Sequence, residues 1–103
     1  MRDRLPNRRP NLTEQWERDG ISITQTTGFK PDGTPGEIFL SADKSNSMID
    51  VLLSDAAIIA SLALQHGVPL QQIVHALKRD KFGIASSPIG AAIDRISERE
   101  VRS

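Results

Sequence analysis

Ser45-Asn-Ser-Met-Ile-Asp-Val-Leu-Leu-Ser-Asp-Ala-Ala-Ile-Ile-Ala-Ser-Leu-Ala-Leu-Gln-His-Gly67 is the stretch whose reading decides the fold. Apolar residues recur in it at three-and-four spacing on more than one face. Met48, Leu52, Ile59 and Leu62 form one row, and Ile49, Leu53, Ala56, Ala60 and Ala63 form its neighbour. This predicts a long helix that needs cover on several sides, with Leu52, Ile59 and Leu62 as core residues. Ser47 followed by Asp50 has the form of a capping box with the shorter acid, and Ser45 and Asn46 are alternative caps, so the helix is expected over about 46–66. Gly67 suits the left-handed position that closes a helix, and Pro69 suits the first turn of the next. About twenty residues rising ~1.5 Å each span on the order of 30 Å, enough for a small domain or a bilayer. Asp50 and Asp55 inside the run favour a soluble core helix over a membrane span.

Outward from this helix, Pro69 to Lys81 predicts a second one, with Leu70, Ile73, Val74 and Leu77 inward and Gln71, Gln72, Lys78 and Arg79 outward. Phe82 to Ala85 reads as a connector. Ser86-Ser87-Pro88 opens a third helix over about 87–98, fraying after Glu98, with Ile89, Ala92, Ile93 and Ile96 at helical spacing. On the amino-terminal side, Leu12, Glu14 and Trp16 alternate with Thr13, Gln15 and Glu17, and Asp19-Gly20 is a hairpin signal. Ile21 to Phe29 is rich in β-branched residues, Pro31-Asp32-Gly33 presets a tight turn, and Glu37 to Ala42 reads as the next strand. The expected architecture is α+β: a three-stranded antiparallel meander over about 12–42, packed on the long central helix, with two shorter helices completing the core. The second face of its Thr- and Gln-rich middle strand is open to water or to an oligomer partner.

Met1 to Pro10, with Arg2, Arg4, Arg8, Arg9 and two prolines, reads as a flexible basic arm before one domain over 11–99 and a short tail over 100–103. The chain has 103 residues, in which 13 basic and 13 acidic side chains cancel, so no global field draws it to nucleic acid or an anionic membrane. It contains no cysteine, which removes disulfides, thiolate metal sites, thiol nucleophiles and thiyl-radical chemistry together. No amino-terminal segment has the form of a signal peptide, and the expected location is the cytoplasm.

Lys44, Ser45, Asn46 and Ser47 lie where a strand meets a helix amino terminus. Free N–H groups, hydroxyls and one ammonium can converge there on a phosphate or nucleotide, while the same serines also serve as caps. The sequence lacks the Gly-x-x-x-x-Gly-Lys loop of a nucleoside-triphosphate enzyme. Ala63, Gly67, Val68 and Ile73 match helix-turn-helix spacing within 63–76, and Gln71 and Gln72 could read adenine edges. The first helix is too long for that motif and the basic residues lie at the far end of the second, so an ordinary helical hairpin is the preferred reading over a DNA-binding regulator. Asp55, mid-helix, is expected to pair with Lys44 or an arginine. His66 and His75, without cysteine or an acidic cluster, make a poor metal site, and no metal, cofactor or catalytic triad is expected.

Glu37-Ile-Phe-Leu40, then Lys44-Ser-Asn-Ser47, the long helix, Leu62-Ala-Leu-Gln-His-Gly-Val-Pro-Leu70 and Ser86-Ser-Pro88 follow one another in an order that resembles the TSCPD domain. That domain occurs at the carboxyl end of adenosylcobalamin-dependent ribonucleotide reductases and as small free-standing proteins. The resemblance covers roughly residues 12–96, and Leu5-Pro-Asn-Arg-Arg-Pro10 is similar to the lead-in of stand-alone bacterial members. The family's Thr-Ser-Cys-Pro-Asp reads Ala85-Ser86-Ser87-Pro88-Ile89 here, keeping the serine and proline and losing the cysteine. Ribonucleotide reduction needs a radical-bearing cysteine and a redox cysteine pair, and this chain has none. The resemblance therefore implies a non-catalytic accessory or binding module with a reductase-type protein as partner, expected to act through the sheet face, where a second copy of the chain could bind, or through the Lys44 to Ser47 loop, where a nucleotide could.

Overall fold

The computed structural model describes residues 10–43 and 47–102, the last three by backbone alone. Residues 1–9 of the basic arm expected over 1–10, loop residues 44–46 and Ser103 lie outside the described residues. Three strands, β1 (Asn11–Arg18), β2 (Ile21–Phe29) and β3 (Pro35–Ala42), are followed by three helices, α1 (Met48–Gln65), α2 (Leu70–Ala76) and α3 (Pro88–Arg102). The sheet is an antiparallel meander in the order β1-β2-β3. Asp19 and Gly20, with φ of 52° and 78°, form the first hairpin turn as the Asp-Gly signal predicts. In the second turn Gly33 has φ 89°. There the Asp32 carboxylate accepts the Thr34 hydroxyl at 2.6 Å and its N–H at 3.0 Å, bonds that hold its pKa below the ordinary carboxylate range.

One sheet face carries Ile23, Gln25 and Thr27 of β2 beside Ile38, Leu40 and Ala42 of β3, all buried. Helix α3 covers this face with Ala92, Ile93 and Ile96. Gln25, on the same face as Ile21 and Ile23, is therefore an interior residue, and each of its amide atoms has a hydrogen-bond partner there. Its Oε1 accepts from Trp16 Nε1 at 2.9 Å and its Nε2 donates to the Ala92 carbonyl at 3.2 Å. Around the rim Arg95 lies 5.3 Å from the Trp16 ring centre, and Arg95 and Arg99 reach Glu14 at 3.1 and 3.0 Å.

Helix α1 lies along the free edge of β3. That edge presents backbone groups at every second residue, and a polar stripe of the helix meets at least one group of each of Gly36, Ile38, Leu40 and Ala42. Asp50 accepts from Ala42 N at 2.9 Å, and Ser54 donates to Leu40 O at 3.1 Å. Ser61 accepts from Ile38 N at 2.8 Å and lies 3.1 Å from Ile38 O, while Gln65 Nε2 donates to Gly36 O at 2.9 Å. The buried apolar row is Leu53, Ala57, Ala60 and Leu64. The expected core residues Leu52, Ile59 and Leu62 instead face outward, 60%, 68% and 39% exposed. The phase of the helix is set by its serines and Gln65, whose hydrogen-bonding partners lie inside, on the sheet edge.

The ends of α1 lie close to those expected, with one change of detail. Ser47 Oγ accepts from Asp50 N at 3.1 Å, but the Asp50 carboxylate is given to Ala42 N rather than returned to the cap residue. At the other end Gly67, with φ 91°, donates to Leu64 O, and Val68 N donates to Ala63 O, the Schellman pair. Lys30 Nζ reaches the Leu64 carbonyl at 3.0 Å, a cation at the helix carboxyl end. The second helix is shorter than the expected 69–81. It stops at Ala76 because Lys78 to Ala85 forms a small loop, in which Asp80 Oδ1 accepts from Phe82 N and Ile84 N and Arg79 bridges to Ala85. The third helix runs four residues past the expected end, to Arg102.

Candidate functional site

Of the predicted anion loop, Lys44, Ser45 and Asn46 lie outside the described residues, and Ser47 is the amino-terminal cap of α1. The Asp50 carboxylate sits in the same first turn. Its negative charge opposes a bound anion there, although the helix dipole favours one.

Ser86, Ser87 and Pro88 build the start of α3. The Ser87 hydroxyl accepts from Gly90 N at 3.1 Å, its carbonyl accepts from Ala91 N at 3.0 Å, and Pro88 takes the first helical position. Ser86 N donates to Lys78 O, and Arg18 Nη2 donates to the Ala85 carbonyl at 2.6 Å, tying the segment to the neighbouring loop and to β1. A side chain at Gly90 would meet Ala85 Cβ at 3.1 Å and Ser87 Oγ at 3.2 Å, so this corner is closely packed.

In the helix-turn-helix candidate, α2 is a seven-residue helix. Gln71 Nε2 donates to Ser97 Oγ at 2.7 Å, and the Arg79 guanidinium is held by Asp94, which raises its pKa further. Gln71 and Arg79 are thus occupied within the fold, and Gln72 is exposed on α2. His66 caps α1 and His75 lies exposed on α2. No cluster of metal-ligating side chains occurs among the described residues. Asp55 is exposed and makes no ion pair among the described residues, so no described arginine fills the expected role.

The surface that sequence reasoning placed inside is the outward half of α1. Met48, Ile49, Val51, Leu52, Ile58, Ile59 and Leu62 are all exposed, as is Phe39 on the outer sheet face. Phe39 shares a shallow cleft with Ile58 and Leu62 on one flank of the helix. On the other flank an open apolar groove of about 500 Å³ is lined by Ile21, Ile49, Leu52, Pro88 and Ile89. The patch is therefore continuous from the sheet, across the helix, to the amino terminus of α3. Isolated exposed leucines are ordinary, but a contiguous apolar patch of this extent marks an interaction surface. The signal was present in the spacing, since Ala57, Ala60 and Ser61 are the small residues that let a helix approach a sheet edge closely.

The TSCPD domain pattern matches residues 2–99 of the chain. Vitamin B12-dependent ribonucleotide reductases of Agrobacterium fabrum and Rhodopirellula baltica are 38% and 36% identical to it over 81 residues, 79% of this chain in each case. That of Streptantibioticus cattleyicolor is 32% identical over 91 residues, 85% of the chain. The chain spans only 6%, 8% and 15% of the length of the Agrobacterium, Rhodopirellula and Streptantibioticus proteins respectively. No solved structure matches it.

Proposed function

Because the chain belongs to the TSCPD domain family, we propose that it is a non-catalytic protein-interaction module related to the one carried by vitamin B12-dependent ribonucleotide reductases, working through the outward face of α1. The observation that carries this reading is the row Met48, Leu52, Ile59 and Leu62, apolar and turned to solvent on a helix whose polar side chains other than the exposed Asp55 are spent on its own sheet. Leaving such a face in water has no structural benefit, so a partner that covers it is the physical reason for its composition. The absence of cysteine agrees with a binding role rather than reductase chemistry.

A nucleotide or phosphate ligand at Lys44, Ser45, Asn46 and Ser47 is the second reading, favoured by their place before a helix amino terminus and opposed by the Asp50 carboxylate. Two measurements separate the two. Titration calorimetry with a ribonucleoside diphosphate and with inorganic phosphate is expected to give no binding heat; saturable binding removed by Lys44→Ala with Ser47→Ala would move the function to the loop. Ile59→Glu is expected to abolish protein association, assayed both for the chain with itself and for the chain with a purified vitamin B12-dependent reductase, while leaving the thermal midpoint of the dilute chain unchanged. Association by the variant equal to that of the unmodified chain in both assays would overturn the proposal.

A further inference from the structure

The interaction reading leaves the occupant of the α1 face open, and the inference here rests on that reading and names it. Met48, Leu52, Asp55, Ile59, Leu62 and His66 follow one another at intervals of four, three, four, three and four residues, the seam of a coiled coil. Ile49, Ala56 and Ala63 flank this seam on one side and Val51 and Ile58 on the other. All but Ala56 and Ala63 in these two sets are exposed. We infer that the seam is covered by a second copy of this chain, the two α1 helices packing antiparallel about a two-fold axis.

Charge selects this occupant and this direction. Asp55 and His66 are the only ionisable residues on the seam, and they are eleven residues apart, about 16 Å along the helix and nearly in line. An antiparallel two-fold centred between Ile59 and Leu62 sets Asp55 of each copy opposite His66 of the partner subunit, and Ile59 opposite Leu62 of the partner subunit. A two-fold interface forms every such contact twice. Centring on Asp55 instead would oppose two carboxylates, so the pair also fixes the register. His66 is prepared for the contact: its Nδ1 lies 2.9 Å from the Leu62 carbonyl, which can only accept, so Nδ1 carries a proton, and in the imidazolium form Nε2–H is the donor left for a carboxylate.

In this register the partner's α1 faces residues 55–66, where Ile58, Ile59 and Leu62 are the exposed apolar side chains, and Met48, Ile49, Val51 and Leu52 lie beyond its carboxyl end. A lipid surface fits less well. Amphipathic helices that lie on membranes carry lysine and arginine on their polar face, and α1 has neither, its polar stripe being used on β3.

Sedimentation equilibrium of the full chain tests the inference, because its exposed seam residues can be changed without opening the core. A mass near twice 11.3 kDa is expected for the unmodified chain, and near 11.3 kDa for Ile59→Glu. His66→Asp, which opposes two carboxylates, should weaken the dimer by about tenfold or more, and Asp55→His with His66→Asp should restore it by exchanging the partners. An unmodified chain still monomeric at about 500 µM, far above the concentrations at which specific interfaces form, overturns the inference. A dimer unaffected by Ile59→Glu, or a double variant as weak as His66→Asp, overturns it too. Binding of the α1 face to a reductase or to neutral phosphatidylcholine vesicles by a chain that stays monomeric also overturns it, and in the reductase case the interaction function survives.

Discussion

Leu53 and Ile59 have isomeric side chains on one helix, and burial gives them opposite energetic roles. Leu53 is 4% exposed against the core, whereas Ile59 is 68% exposed. Leu53→Ala should cost about 2–5 kcal/mol through lost burial and an unfilled cavity, while Ile59→Ala should stay within about 0.5 kcal/mol in the dilute chain. Urea denaturation at low protein concentration compares the two directly, and equal losses would contradict the helix orientation. Ser87→Ala removes the hydroxyl that accepts from Gly90 N and should cost about 1 kcal/mol by the same assay. The orientation was the part the sequence hid. When isoleucine and leucine occur all around a helix, periodicity has little amplitude and its phase is set by polar residues, which are ordinarily assumed to face water. Here Ser54, Ser61 and Gln65 face inward, and the residues between them turn out.

At the level of elements, the pairing of α1 with β3 is a device for closing a sheet edge without another strand. Each outward-facing group from Gly36 to Ala42 that the helix reaches is matched by a side chain one or two turns further along, running antiparallel. Ser61 is the centre of this set because it meets both the N–H and the carbonyl of Ile38 and is itself buried. Ser61→Ala leaves those groups unpaired and should cost about 1–3 kcal/mol, with faster amide hydrogen exchange at Ile38 than at its neighbours in the strand. Exchange at Ile38 unchanged by the substitution would show that the edge is held by something other than this side chain. The strands were legible because Asp19-Gly20 and Pro31-Asp32-Gly33 mark the turns between them, and the end of α1 was legible because Gly67 takes a backbone conformation that few residues supply. The end of α2 was not. Lys78 and Arg79 have good helix propensity, but the Asp80 carboxylate organises the following turn, and Arg79 pairs with Asp94 of α3 from within that loop.

For the molecule as a whole, dimerisation through α1 ties stability to concentration. A monomer melts at the same temperature at any dilution, whereas a chain that unfolds from a dimer gains stability by mass action. A tenfold rise in concentration adds about 1.4 kcal/mol per dimer, or roughly 0.7 per chain, which is about 3–6 °C for a domain of this size. The unmodified chain should therefore show a midpoint that climbs with concentration above its dissociation constant, and Ile59→Glu should show a flat one at the dilute limit. The two curves also separate causes that a single melt confuses. If Ile59→Glu were flat but lay well below the dilute limit, the glutamate would be damaging the fold and Ile59 would not be a surface residue. If both curves were flat and equal, the α1 face would contribute nothing through self-association, and its apolar composition would have to be explained by a different protein seated along the same seam.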